Sequence, residues 1–155
     1  FAALARISPA LPLIGGGVTR MQPAYVGDVA TAVADAVDGK TRPGGVYELG
    51  GPEVLTMREI MEIILSITDR QRMLISLPWG MAKFQAMFLQ FAPGALKLTP
   101  DQVMMLQSDN VVSDAARAAG LTLEGLGIAP DSMEAEAPQY LWRFRAAGQF
   151  QRKNA

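Results

Sequence analysis

The sequence predicts a mixed α/β fold, with a first part in which short strands alternate with helices and a second part that is mainly helical. Two observations carry that prediction. Short apolar runs punctuated by glycine or proline recur at residues 11–14, 45–50 and 72–77, the pattern of brief strands. Strong helix-start signals stand between and after them: the capping box Thr56-Met-Arg-Glu59, and the cap, N1-proline, N3-glutamine order Thr99-Pro100-Asp101-Gln102. The 155 residues, half of them apolar and 19% charged, suit one domain with a core of its own. Residues 11–77 form the mixed portion of that expected domain and residues 78–155 the helical portion.

Leu11-Pro-Leu-Ile14 reads as a strand, Gly15-Gly-Gly17 as a hairpin turn, and residues 20–26 as an extended segment in which Pro23 fixes its own φ. A helix is expected from Asp28 to Gly39, with Asp28 as cap, glycine as the stop, and Val29, Val33 and Val37 recurring at helical spacing with alanines between them. Residues 41–45 make a turn, and Gly45-Val-Tyr-Glu-Leu-Gly50 reads as a short strand. Thr56 opens the best-marked helix, whose buried stripe should be Ile60, Ile63, Ile64 and Ile67, with Arg58, Glu62 and Asp69 facing away. Residues 72–77 form a strand stopped by Pro78. The helix from Trp79 to Phe91 places Met81, Phe84, Met87, Phe88 and Phe91 on one broad face and is stopped by Pro93-Gly94. Further helices begin at Thr99, at Ser113 and after Pro130, and Pro138 should kink the last or delay its start.

Composition excludes whole classes of chemistry. With no cysteine and no histidine, the chain has no disulfide scaffold, no thiol nucleophile, no imidazole base and no imidazole or thiolate metal ligand. The acidic group Asp131, Glu134 and Glu136 lies at a helix start, where negative charge suits the dipole. A net charge of −1 with acids and bases interspersed offers no basic field to nucleic acid, and Arg143, Arg145, Arg152 and Lys153 read as a solvated helix end. The segment from Phe1 to Leu13 lacks the basic start and cleavage site of a signal peptide, and its appearance is that of the middle of a longer chain. Gly15-x-Gly17 is the only candidate phosphate loop, but Arg20 stands where the third glycine belongs and no helix signal follows directly. Tyr25, Tyr47 and Tyr140 are followed four residues on by Val29, Gly51 and Phe144, so no Tyr-x-x-x-Lys pair is present. No catalytic, cofactor-binding or metal-ligating residue is therefore expected in this chain.

The order Gln22-Pro-Ala-Tyr-Val-Gly-Asp-Val-Ala30, Val46-Tyr-Glu-Leu-Gly-Gly51 and Thr56-Met-Arg-Glu-Ile60 resembles the extended short-chain dehydrogenase/reductases of the NAD-dependent epimerase/dehydratase family. Further pieces are Leu77-Pro78, Thr99-x-Asp101-x-Val103, Leu123-Glu-Gly-Leu-Gly-Ile128 and Trp142-Arg-Phe-Arg145. Together they make the chain similar, over nearly its whole length, to the nucleotide-binding accessory subunits of respiratory complex I and their bacterial relatives. The resemblance implies the C-terminal, substrate-side part of a Rossmann-like protein. The N-terminal half, with its glycine fingerprint and Tyr-x-x-x-Lys, would lie outside this sequence. It implies NAD(P)H for the full-length protein and none in this part, and a binding or structural role rather than catalysis. The alternative is the substrate-binding part of a reductase, epimerase or dehydratase. Met21 where such epimerases often carry arginine, and Pro78-Trp79-Gly80 in place of Arg-x-Gly-Asp, stand against nucleotide-sugar chemistry.

Arg20, Gln22, Tyr25 and Asp28 are the candidate substrate-binding residues, the last three with an ordinary alternative. Asp28 is expected mainly to cap its helix, and Gln22 and Tyr25 to pack or satisfy backbone. The helix from Trp79 to Phe91 could bind a lipid tail, a quinone or a membrane surface, although a stripe of that spacing more often packs on its own domain or on the missing half. The expected partners are that N-terminal half, subunits of a respiratory complex, a quinone or lipid, and a second copy of the chain through an uncovered apolar face, with no nucleic acid. The expected location is cytoplasmic, with a peripheral place on the inner membrane.

Overall fold

The computed structural model describes residues 1–92 and 97–145 and is a mixed α/β structure with a small parallel sheet. The stop assigned to Pro93-Gly94 and the charges at Arg152 and Lys153 lie outside the described residues. The chain divides into two compact units, each assembled from separated stretches. Among the described residues, one comprises residues 1–20, 56–92, 97–109 and 137–145, and the other residues 21–55 and 110–136.

The first unit begins with α1 (Ala2–Ile7), a short helix that the sequence signals do not announce, and β1 (Ala10–Ile14). β1 pairs in parallel with β4 (Met73–Leu77), Ala10 opposite Met73 and Ile14 opposite Leu77. The expected hairpin about Gly15–Gly17 is therefore not formed. The three glycines all take positive φ (+60°, +78° and +73°) and turn the chain out of β1 instead of folding it back. Leu11 and Leu13 point into the core and Pro12 away from it, the period-two alternation of a half-covered strand.

α3 (Met57–Ile67) supplies more of the core than any other element, with Met57, Ile60, Met61, Ile64 and Leu65 buried, each contributing about 1.5–3 kcal/mol of apolar transfer. Ile63 and Ile67, expected on the stripe, are half-buried at its margin. The capping box forms as predicted: Glu59 N–H donates to Thr56 Oγ1 at 3.2 Å, and Thr56 N–H donates to Glu59 Oε2 at 2.7 Å. α4 (Trp79–Leu89) and α5 (Pro100–Met105) pack through Ala82, Ala86 and Val103 onto Ile14. α8 (Pro138–Leu141) and a 3₁₀ turn at Trp142–Phe144 close the unit. Three guanidinium groups bind it together through backbone carbonyls: Arg72 to Ala5, Arg70 to Phe144 and Arg145 to Ile67, at 2.9, 2.8 and 2.9 Å. Arg145 is thus a half-buried clip rather than a solvated helix end.

The second unit holds α2 (Val26–Val37), α6 (Asp114–Ala118) and α7 (Met133–Glu136). α2 starts earlier than Asp28, with Tyr25 at the N-cap, and it buries Asp28 and Ala32 while Val33 and Val37 are exposed. The valine spacing marks a helix correctly but not the side that its unit covers. Residues 46–50 form no strand, because a strand requires a neighbour along its edge. Glu48 N–H donates instead to the carbonyl of Leu121 at 3.0 Å. Two-residue strands, β2 (Arg20–Met21) and β3 (Leu55–Thr56), pair with each other. The last predicted helix is split into α7 and α8 at Ala137, beside Pro138 as expected.

Candidate functional site

The second unit contains a half-open cleft of about 250 Å³ lined by Gln22, Glu48, Leu49, Gly50, Asn110, Val111 and Val112. Gln22 organises it. Its Nε2 donates to the carbonyl of Gly51 at 2.7 Å, and its Oε1 accepts from Val112 N–H at 3.0 Å and from an Arg117 guanidinium nitrogen at 3.3 Å. Its own N–H donates to the carbonyl of Asn110 at 3.1 Å. One side chain thereby joins residues 50–51 to residues 110–112 and forms the cleft wall.

Glu48 closes one end. Its Oε2 accepts from Ser113 N–H at 2.7 Å and its Oε1 from the Ser113 hydroxyl at 3.0 Å, while Ser113 Oγ also caps α6 by accepting from Ala116 N–H at 3.1 Å. The amide and then the hydroxyl of Ser113 hold the Glu48 carboxyl below the ordinary carboxylate range. The Asp109 carboxyl is lowered likewise, first by the backbone N–H of Arg20 and then by its side chain. Groups with a depressed folded-state pKa contribute stability that is fully present above their unfolded pKa and is lost as pH falls through the folded one. Thermal stability should therefore fall as pH drops below the ordinary carboxylate range of about 4. Glu48→Gln should flatten part of that fall, which a melting-temperature profile against pH would show; an unchanged profile would remove Glu48 from the account.

Of the four residues singled out from sequence, Gln22 lines the cleft and the others act elsewhere. Arg20 binds Asp109 through its backbone N–H, its Nε and a terminal guanidinium nitrogen, each at 2.8 Å, so its cation is already engaged. Tyr25 is half-buried at the head of α2 and its ring lies over Gly27. Asp28 is 7% exposed, sits in the first turn of α2 rather than at its cap, and accepts from Asp131 N–H at 2.9 Å. It anchors residues near 131 to α2, a role that position in the sequence does not suggest. Glu48, Asn110 and Arg117 escape a reading of the sequence because their partners lie far along the chain: Glu48 and Ser113 are 65 residues apart, Gln22 and Arg117 95.

The glycine run serves packing. A Cβ on Gly15 would lie 2.0 Å from the Trp79 indole, so glycine there admits the ring at the start of α4. Among the described residues, no cluster of three or more acidic, histidine or cysteine side chains could hold a metal, and no helix is long and apolar enough to cross a membrane. Ser113 has a carboxylate partner but no imidazole between them, and its hydroxyl is committed to Glu48 and to capping. The cleft can accept and donate hydrogen bonds to a polar ligand through Asn110 and backbone groups, with Leu49 and Val111 as apolar contacts.

No family model matches the chain. It is 35% identical over 147 residues to the mitochondrial NADH dehydrogenase (ubiquinone) 1 alpha subcomplex subunit 9 of Arabidopsis thaliana, a match covering 89% of this chain and 36% of that protein. A shorter similarity, 35% identity over 66 residues, relates 42% of this chain to 17% of Cyclin-B1-2 of Oryza sativa subsp. japonica. The chain thus spans about a third of the length of the first of these relatives and less of the second.

Proposed function

We propose that this chain is the C-terminal, substrate-side part of a short-chain dehydrogenase/reductase-like protein that serves as an accessory subunit of a respiratory complex, binding and bracing rather than catalysing. The observation that carries the proposal is the 35% identity, over 89% of the chain, to a subunit named for NADH dehydrogenase. The site chemistry agrees with it. Arg20 is held by Asp109, Gln22 by three separate partners and Asp28 by Asp131, so three of the candidate polar side chains brace the fold. NAD(P)H belongs, in this proposal, to the remainder of the full-length protein. The relative's description as a mitochondrial subunit supports a place beside other subunits and lends no support to the cytoplasmic location expected from sequence.

Titration of the 155-residue chain with NADPH, followed by the fluorescence of Trp79 and Trp142 and checked by calorimetry, should show no saturation up to about 1 mM, a free energy weaker than about −4 kcal/mol. Micromolar saturable binding would overturn this division of labour. The cleft favours a second reading, the substrate-binding part of a reductase or epimerase. Turnover by the full-length protein with NAD(P)H would select that reading, and a dinucleotide that is retained without being oxidised would select the accessory role.

A further inference from the structure

We infer that α4 docks on the headgroup region of an anionic lipid bilayer, lying along it without crossing. The helix is inverted relative to an ordinary surface helix. Its small residues Ala82 and Ala86 are fully buried against Ile14 and Val103, while its large apolar residues face outward. Met81, Phe84, Met87 and Phe88 are 53%, 62%, 57% and 64% exposed, and Phe91, in the turn that follows, 83%. At 3.6 residues per turn these five fall on one arc opposite the two alanines. Phe84 and Phe88 meet edge to face with ring centroids 5.3 Å apart, so the arc is a continuous aromatic ridge.

Area and charge together name the occupant. Three phenylalanines at these exposures leave on the order of 400 Å² of ring surface in water, at about 200 Å² per side chain. That already matches the largest apolar patches that soluble proteins ordinarily show. A protein partner covering such an area would ordinarily exchange about one hydrogen bond per 100–200 Å². The ridge itself carries no donor or acceptor side chain, since Lys83 and Gln85 lie at its margins. Residues 79–98 contain Lys83 and Lys97 and no aspartate or glutamate, although the whole chain has 15 acids and a net charge of −1. Lys83 sits between the buried and exposed arcs, where its stem can follow the apolar surface while the ammonium reaches phosphate. Aromatic and methionine side chains projecting from a helix whose one charged residue is a lysine suit the boundary between acyl chains and anionic headgroups. This inference rests on α4 and the residues just after it and is independent of the cleft and of the respiratory role.

Flotation of the 155-residue chain with vesicles of phosphatidylcholine and phosphatidylglycerol tests it. The protein should float with these vesicles and bind pure phosphatidylcholine several-fold more weakly, and high salt should erase the difference. Phe84→Glu/Phe88→Glu, at exposed positions, should keep its far-ultraviolet dichroism and lose partitioning by about tenfold or more. The inference is overturned if the wild type stays at the bottom of the gradient at every lipid concentration, or if the double variant floats equally well. It is also overturned if the wild type remains lipid-free but forms a dimer that the double variant dissociates, since the ridge would then belong to a second copy.

Discussion

Gly51→Ala is expected to destabilise the second unit by about 3 kcal/mol or more, the upper end of what overpacking ordinarily costs. A Cβ at this position would lie 2.0 Å from the carbonyl oxygen of Pro23 and 3.1 Å from its carbonyl carbon. Both are backbone atoms, and proline's fixed φ leaves that segment little freedom to retreat. The Gly51 carbonyl is also the acceptor for Gln22 Nε2, so a shift here loosens the residue that builds the cleft. The neighbouring glycine is the internal control. A Cβ on Gly50 would meet the Gln22 side chain and Val112 Cγ2, at 2.6 Å each, and side chains can rotate away. Gly50→Ala should therefore cost distinctly less while still disturbing the Gln22 amide. Equilibrium urea unfolding of both variants measures the two costs, and a Gly51→Ala protein as stable as wild type would refute the packing described.

Asp28→Ala should remove about 1.5–3 kcal/mol, the range for a hydrogen bond to a charged group whose loss strands its partner. The partner is the N–H of Asp131, 103 residues away in sequence. The choice of substitution separates this anchoring role from the helix-capping role that the sequence suggests. Serine is among the best N-cap residues and would serve a capping role as well as aspartate does, but it is too short to reach the N–H of Asp131. Asparagine keeps an acceptor at the same reach. The expected order of stability is wild type first, then Asp28→Asn, then Asp28→Ser and Asp28→Ala together. Equal stability of the serine variant and wild type would return Asp28 to the ordinary role of a cap.

These two residues also mark the limits of what can be read from sequence. Local signals are legible: both capping boxes, the strand at residues 73–77, the helix from Trp79 and the break beside Pro138 all form near where they are expected, because each depends on residues close together in the chain. The run Gly45–Gly50 has strand composition but not strand structure, since pairing depends on a neighbour that local sequence does not specify. In α2 the valine repeat indicates helix but not orientation, which follows the buried Asp28 contact with a distant amide. The cleft is legible only through Gln22. Its other polar groups are brought there by contacts across 65 to 95 residues, and a single sequence gives no hint of pairings at that range.

The interleaving of the two units governs the order in which a growing chain can fold. Among the described residues, the first needs 1–20, 56–92, 97–109 and 137–145; the second needs 21–55 and 110–136. Neither can be completed from a contiguous early stretch. When the ribosome has released α1 through α5, Arg70 still awaits the carbonyl of Phe144, and the carbonyl of Ile67 still awaits Arg145. The nascent chain must therefore hold its apolar helices partly unsatisfied until residues 137–145 have emerged. Completion depends on long-range closure, a regime of slow folding and of exposure to chaperones.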